Sequence, residues 1–248
     1  MAGPVDYAFL HGGGQGSWVW RETIEALRRQ TDGGFGRALL LDVPGCGVKR
    51  QRETAGLGFE EIAAELVKDI DEAGQREVVL VGHSQAGSLI PHMVAARPAL
   101  FRRIIYLACS IPRPGQSVAA MVGSGVHGAT PDEVGWPLDP KSHTIRERNL
   151  AMFCTDMTPE AAEAFLGRLG QDAWPVVTYT HTDWHYDQLA SVPSSYIVCL
   201  RDGILPIAWQ EVFAARFKAE RIVRIDAGHQ AMNTRPHALA EILRVEAR

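Results

Sequence analysis

The densest chemistry in the 248-residue sequence lies at Val78-Val79-Leu80-Val81-Gly82-His83-Ser84-Gln85-Ala86-Gly87. An apolar run suited to a buried strand passes straight into a serine flanked by small residues, and a helical stretch begins at once. A serine is made reactive when a sharp, strained strand-to-helix turn holds it out, and the residues two before and two after it must then be small to avoid collision. The usual pattern is G-x-S-x-G. Here Ala86 holds the last place, and as the next smallest residue, followed by Gly87, it is compatible with the turn. A second signal is Phe9-Leu10-His11-Gly12-Gly13-Gly14. Its glycines let backbone N–H groups approach a ligand closely. Beside the serine turn, the loop would offer one N–H to an oxyanion, and Gln85, directly after the serine, would offer another. Neither a Lys-Ser/Thr pair nor G-x-G-x-x-G spacing follows the glycines, which speaks against a phosphate cradle.

Two further candidates stand at strand ends. Ser195–Leu200 runs into Arg201-Asp202-Gly203, and Arg221–Asp226 into Ala227-Gly228-His229. Serine, acid and histidine in that chain order is one of the arrangements in which a nucleophilic triad occurs. His229 would take the serine proton, and Asp202 would orient its imidazole and stabilise the charged form. Asp226 is the rival acid, three residues before His229 on the same turn.

Other reactive types read as structural. His181 and His185 are four apart and could share a helix face, but a metalloprotease-type zinc site wants glutamate beside the first histidine, where Thr182 stands. His83, next to the serine, should point away from it and pack. Cys109 and Cys199 end buried strands and read as small hydrophobes. Lys49-Arg50-Gln51-Arg52 reads as a solvated loop.

The elements that must position these groups alternate. Val5–Leu10 reads as a strand and Ser17 to about Gln30 as a helix, followed by a strand at Arg37–Leu41 that stops at Asp42-Val43-Pro44-Gly45. Phe59, Ile62, Ala63, Leu66 and Ile70 fall at helical spacing, with Gly74 as the stop. Glu77–Val81 and Arg103–Leu107 are buried-type strands around a helix at Gln85–Ala96, which Pro91 should kink. After a glycine- and proline-rich stretch, Thr158-Pro159-Glu160 starts a helix running to about Leu169. Strand character resumes at Ser195–Leu200, then a helix at 206–217, a strand at Arg221–Ile225 and a last helix at 235–246. The pattern predicts an α/β fold with a mostly parallel central sheet flanked by helices. Residues 1–110 and 186–248 form its core, and 111–185 a mainly helical cap insertion.

Composition bounds the rest. With 25 basic and 29 acidic residues and a net charge of −4, no basic face argues for nucleic acid as a partner. No run approaches the roughly 20 apolar residues of a bilayer span. The N-terminus has no basic start followed by a long apolar run, so no secretory signal is read. The four cysteines are far apart and form no CxxC pair. These features point to a soluble cytoplasmic protein without membrane contact; a monomer or homodimer with no cofactor or metal is the expectation, although the sequence does not decide the oligomeric state. The insertion carries nine acidic against five basic residues, which makes it a poor receiver for polyanions such as coenzyme A esters. Trp136, Trp174 and Trp184, with Met121, Met152, Phe153 and Phe165, should hold it together, and some should line an apolar pocket over Ser84. The lining residues singled out are Gly12, Trp136, Trp184 and His185.

Through HGGGQGSW, GHSQAG, CLRDGILP and AGHQAM, nearly the whole chain resembles the α/β-hydrolase superfamily. It looks most like the small branch that contains plant-type methylesterases and hydroxynitrile lyases. The resemblance implies a Ser84–His229–Asp202 triad, with the Gly13 and Gln85 N–H groups as the oxyanion hole. Some superfamily members carry the acid after the strand that here ends at Leu107, but this chain has Ala108-Cys109-Ser110 there, which favours Asp202. Hydroxynitrile lyases of the branch resemble a pattern with lysine after the triad histidine and threonine after the histidine of the glycine loop. This chain has Gln230 and Gly12 at those places. Without the ammonium, hydrolysis of small apolar or aromatic esters through an acyl-enzyme on Ser84 is the expectation. Carbon–carbon bond hydrolysis, lactone opening, a lyase reaction on the same triad, or a receptor without turnover are the alternatives.

Overall fold

The computed structural model describes residues 3–30 and 34–248. Its strands are β1 (Val5–Leu10), β2 (Phe35–Leu41), β3 (Val78–His83), β4 (Phe101–Leu107), β5 (Ser194–Cys199) and β6 (Arg221–Ile225). They form one sheet in the order β2-β1-β3-β4-β5-β6, and every neighbouring pair is parallel. The helices, in chain order, are α1 (Arg21–Gln30), α2 (Phe59–Glu72), α3 (Ala86–Ala96), α4 (Val118–Val122), α5 (Ile145–Phe153), α6 (Pro159–Leu166), α7 (Val177–Thr180), α8 (Ile207–Arg216), α9 (Ala231–Thr234) and α10 (Pro236–Glu246). Helices α4 to α7 lie between β4 and β5, joined by turns and loops.

Both faces of the central strands are covered, which is why their sequences are continuously apolar rather than alternating. Leu80, Ile104 and Tyr106 pack with α2, α3 and α8 on one face. Val79, Val81, Ile105 and Leu107 pack with α1 and α10 on the other. The outer strands β2 and β6 are only partly buried, as edge strands are.

Two local differences from the sequence expectation have physical causes. The segment Ser17–Trp20 is a 3-10 turn ahead of α1, because the Asp42 carboxylate captures the Ser17 N–H at 2.6 Å and its hydroxyl at 2.9 Å. Strand β3 runs to His83 rather than stopping at Val81, since Gly82 pairs with Leu10 and Tyr106, and His83 with Leu107. Helix α3 runs through Pro91, as the sequence pattern over Gln85–Ala96 implies. The sheet thus brings the C-terminal ends of β1, β3, β5 and β6 to one edge, where ligands bind in parallel α/β sheets. Among the described residues, no helix is long and apolar enough to cross a membrane.

Candidate active site

Ser84 follows the last residue of β3 with φ at +54°, the left-handed region that non-glycine residues rarely adopt. Its backbone is pinned there on both sides. The Ser84 N–H donates to Leu107 O at 3.1 Å, and its carbonyl accepts from Gly87 and Ser110 N–H groups, each at 3.1 Å. The small neighbours are required by contact. A β-carbon on Gly82 would overlap the Ile90 side chain and lie 3.2 Å from the Ala86 β-carbon, so alanine at 86 is accommodated because 82 is glycine. A β-carbon on Gly87 would overlap Ser110 O and sit 2.7 Å from the Phe217 ring.

The structure brings Ser84, His229 and Asp202 together from three strand ends. His229 Nε2 lies 2.9 Å from Ser84 Oγ, and its Nδ1 lies 2.7 Å from Asp202 Oδ2. The side chains of His229 and Asp202 are fully buried. Asp202 Oδ1 accepts from the Ile204 and Leu205 N–H groups at 2.7 and 2.9 Å, so its charge is satisfied without a cation. With Nδ1–H given to the carboxylate, Nε2 is left as the acceptor facing the serine hydroxyl, the arrangement a general base needs. Asp226, the rival acid, is 74% exposed and held by Arg201 at 2.7 Å.

His83 packs away from the pocket but touches the machinery. Its Nε2–H donates to the His229 carbonyl at 2.9 Å, and the two rings are 4.5 Å apart. Burial, and after it the neighbouring His229 ring, push His83 well below the usual histidine range, so it holds the His229 backbone as a neutral donor. His11 anchors the glycine loop in the same way: its Nδ1 lies 2.9 Å from Gly12 O, and its Nε2 accepts from Val43 N–H at 3.2 Å. Gly13 and Gln85 both line the pocket that holds Ser84, and among the described residues neither backbone N–H has an acceptor.

That pocket encloses about 540 Å³. Val118, Val122, Trp136, Met152, Phe153 and Leu205 give it an apolar wall, and Asn149 and Tyr179 add polar groups; among the described residues no charged one lines it. Trp136, singled out in the sequence, borders this pocket. Trp184 and His185 do not, and their assignment to this pocket is corrected. Trp184 is buried against Phe59 and donates to Gln116 O at 2.7 Å. His185 is 80% exposed beside Asp183, and both border a different hollow. Nor do His181 and His185 share a helix face, because α7 ends at Thr180. Gly12 supports the site rather than lining it: a β-carbon there would be 2.9 Å from His83 Nδ1 and 3.0 Å from the Ser84 β-carbon. Asn149, Tyr179 and Ile204 escaped the sequence reading. Asn149 could have been found by its helical spacing to Met152 and Phe153, which puts all three on one face of α5.

A family profile described as "Alpha/beta hydrolase family" matches residues 8–242. The chain is 25% identical to the carbendazim hydrolyzing esterase of Nocardioides sp., over 96% of this chain and 98% of that one. It is 24% identical to methylesterase 10 of Arabidopsis thaliana, over 96% and 90%. Among solved structures, a pyrethroid hydrolase from Sphingobium faniae superposes with a TM-score of 0.75 at 21% identity, over 98% of this chain and 97% of that one. A methylesterase from Arabidopsis gives 0.73 at 19%, over 96% and 97%. At these identities the structural likenesses speak to the fold.

Proposed function

The chain belongs to the alpha/beta hydrolase family and is an ester-cleaving hydrolase, and from that premise we propose that Ser84, His229 and Asp202 are its catalytic triad and that its substrates are small, uncharged apolar or aromatic esters. The observation that carries the reading is the unbroken relay from Asp202 through His229 to the Ser84 hydroxyl, at 2.7 and 2.9 Å. Ser84 Oγ attacks the ester carbonyl while His229 Nε2 takes its proton. The carbonyl oxygen, now an oxyanion, receives the Gly13 and Gln85 N–H groups. His229 then returns the proton to the departing alkoxide, leaving an acyl group on Ser84, and water activated by the same imidazole releases the acid. Asp202 stays ionised throughout and stabilises the imidazolium.

The substrate class rests on the pocket wall, which is apolar and uncharged. We propose that residues 111–185 act as the cap that supplies most of this wall, through Val118, Trp136, Met152 and Phe153. All three triad groups and both amides come from one chain, so the proposal needs no second subunit. The four cysteines are free and buried, which fits a reducing compartment such as the cytoplasm.

The test is Ser84→Ala assayed on p-nitrophenyl butyrate, with a fluorophosphonate label mapped to its peptide. Loss of kcat by at least about 10⁴-fold, together with loss of the label, is expected; full activity in the variant would sink the proposal. A panel of aryl and methyl esters, with carbendazim included because a relative's name carries it, then ranks substrates.

A further inference from the structure

The side chain of Gln85 is an element that the relay does not use. It is almost fully buried. Its carboxamide oxygen lies so close over Gly13 that a β-carbon on that glycine would overlap it. Its Nε2–H donates to Thr178 Oγ1 at 3.4 Å, and Thr178 in turn donates to Pro175 O at 2.7 Å. The Tyr179 hydroxyl lies 3.6 Å from the same point above Gly13. Burial raises the Tyr179 phenol, against an opposing hydrogen bond from Gln85, so at neutral pH that hydroxyl is an uncharged partner. One carboxamide thus bridges three things: the loop after β1, the turn after β3, and α7 of the insertion.

We propose that the Gln85 carboxamide is a positioning residue that sets the separation of the Gly13 and Gln85 amides and ties it to the seating of α7. The inference deepens the functional reading above and rests on it. An oxyanion hole works only if its donors are already aimed at where charge develops, because the gain comes from not reorganising during the reaction. Gly13 N–H and Gln85 N–H belong to different loops, so their spacing needs a strut. The Gln85 side chain starts at one donor residue and its carboxamide oxygen fills the space that a β-carbon on the other would take, which makes it that strut. Thr178 supplies the fixed point that holds the carboxamide in this rotamer. A bare Gly13 is the matching half, since any side chain there would displace it.

The experiment compares the wild type with Gln85→Met, which keeps the length and loses the polar end, and Thr178→Val, which keeps the shape and loses the acceptor. On p-nitrophenyl butyrate both should lower kcat with KM kept within about twofold. The loss in Gln85→Met should be on the order of tenfold, less than the 10²–10³ for deleting a donor outright, because the amides remain but are misaimed. Inhibition by phenylboronic acid, whose tetrahedral adduct on Ser84 places an oxygen in the hole, should weaken by the same factor, while inhibition by butyrate stays unchanged. The double variant should be no worse than Gln85→Met, because both break one link. If Gln85→Met does not fold, Thr178→Val carries the test alone. An unchanged kcat, or a fall in kcat with boronic acid affinity intact, overturns the inference. The Ser84→Ala control separates the two readings: activity surviving in Ser84→Ala removes the serine mechanism itself, whereas an inactive Ser84→Ala beside a fully active Gln85→Met removes only the strut.

Discussion

The two acids at the ends of β5 and β6 show how much a single residue's surroundings decide. Asp202 is sealed from water with one oxygen on His229 and the other on two amides, whereas Asp226 faces solvent and Arg201. Replacing Asp202 by Asn keeps the shape but presents an amide that forces the wrong imidazole tautomer, which should lower kcat by about 10⁴-fold. Asp226→Asn should change kcat by less than about twofold, since exposed ion pairs contribute little. Steady-state kinetics of the pair on one ester checks both. Ser84, His229 and Asp202 were legible in the sequence because each follows a strand pattern, continuously apolar before Ser84, mostly apolar before Asp202 and mixed before His229, so chain order placed them at one edge. His11 and the Gln85 side chain were not, because their roles are set by hydrogen bonds across 32 and 93 residues of chain that no local pattern encodes.

At the scale of elements, the strand–turn–helix around Ser84 tolerates little. A methyl on Gly87 would meet the Ser110 carbonyl, a backbone atom that cannot swing aside, and Ser110 N–H is one of the bonds that fix Ser84. Gly87→Ala should therefore destabilise by about 1–3 kcal/mol through overpacking and lower kcat as well, read by urea unfolding and by turnover. The insertion behaves differently, and its elements were the least legible part of the chain. Its helices are short, and the sequence offered no period to say which aromatic faces the pocket. Trp184 forms a ring cluster with Phe59, His92 and His181, so it clamps the end of the insertion to α2 and α3. Trp136 instead borders the pocket, with its indole N–H spent on Gly123 O at 2.9 Å. Trp184→Ala should cost about 3–5 kcal/mol of stability. Trp136→Ala should act chiefly on KM, by removing apolar contact shared by ground and transition states. If Trp184→Ala left the unfolding midpoint unchanged while raising KM, the assignment of the two tryptophans would have to be reversed.

For the whole molecule, the pH dependence of stability follows from where the histidines are buried. His11 and His83 are fully enclosed, and burial holds both below the ordinary histidine value of 6.5. His92 is lowered too, by burial first, although Glu60 at 2.5 Å opposes the shift. In the unfolded chain all three titrate near 6.5. As pH falls through that value, the unfolded state takes up protons that the folded state refuses, so the unfolded state gains and stability declines. Each histidine contributes a slope of at most about 1.4 kcal/mol per pH unit, beginning below 6.5 and absent above it. The carboxylates act in both senses. Asp172 is lowered from 3.8 by its partners Trp18, the Gly47 amide and Arg50, against burial, so the stability it contributes is lost only at still lower pH. Asp69 is raised, by burial first, and works in the opposite sense. Urea unfolding at pH 7.5, 6.5, 5.5 and 4.5 should give a flat upper limb and a steep fall below 6.5. His83→Gln, which keeps a donor for the His229 carbonyl and cannot be protonated, should flatten that fall. An unchanged slope in this variant would mean that His83 accepts its proton inside the folded chain, and would remove it as the neutral support behind His229.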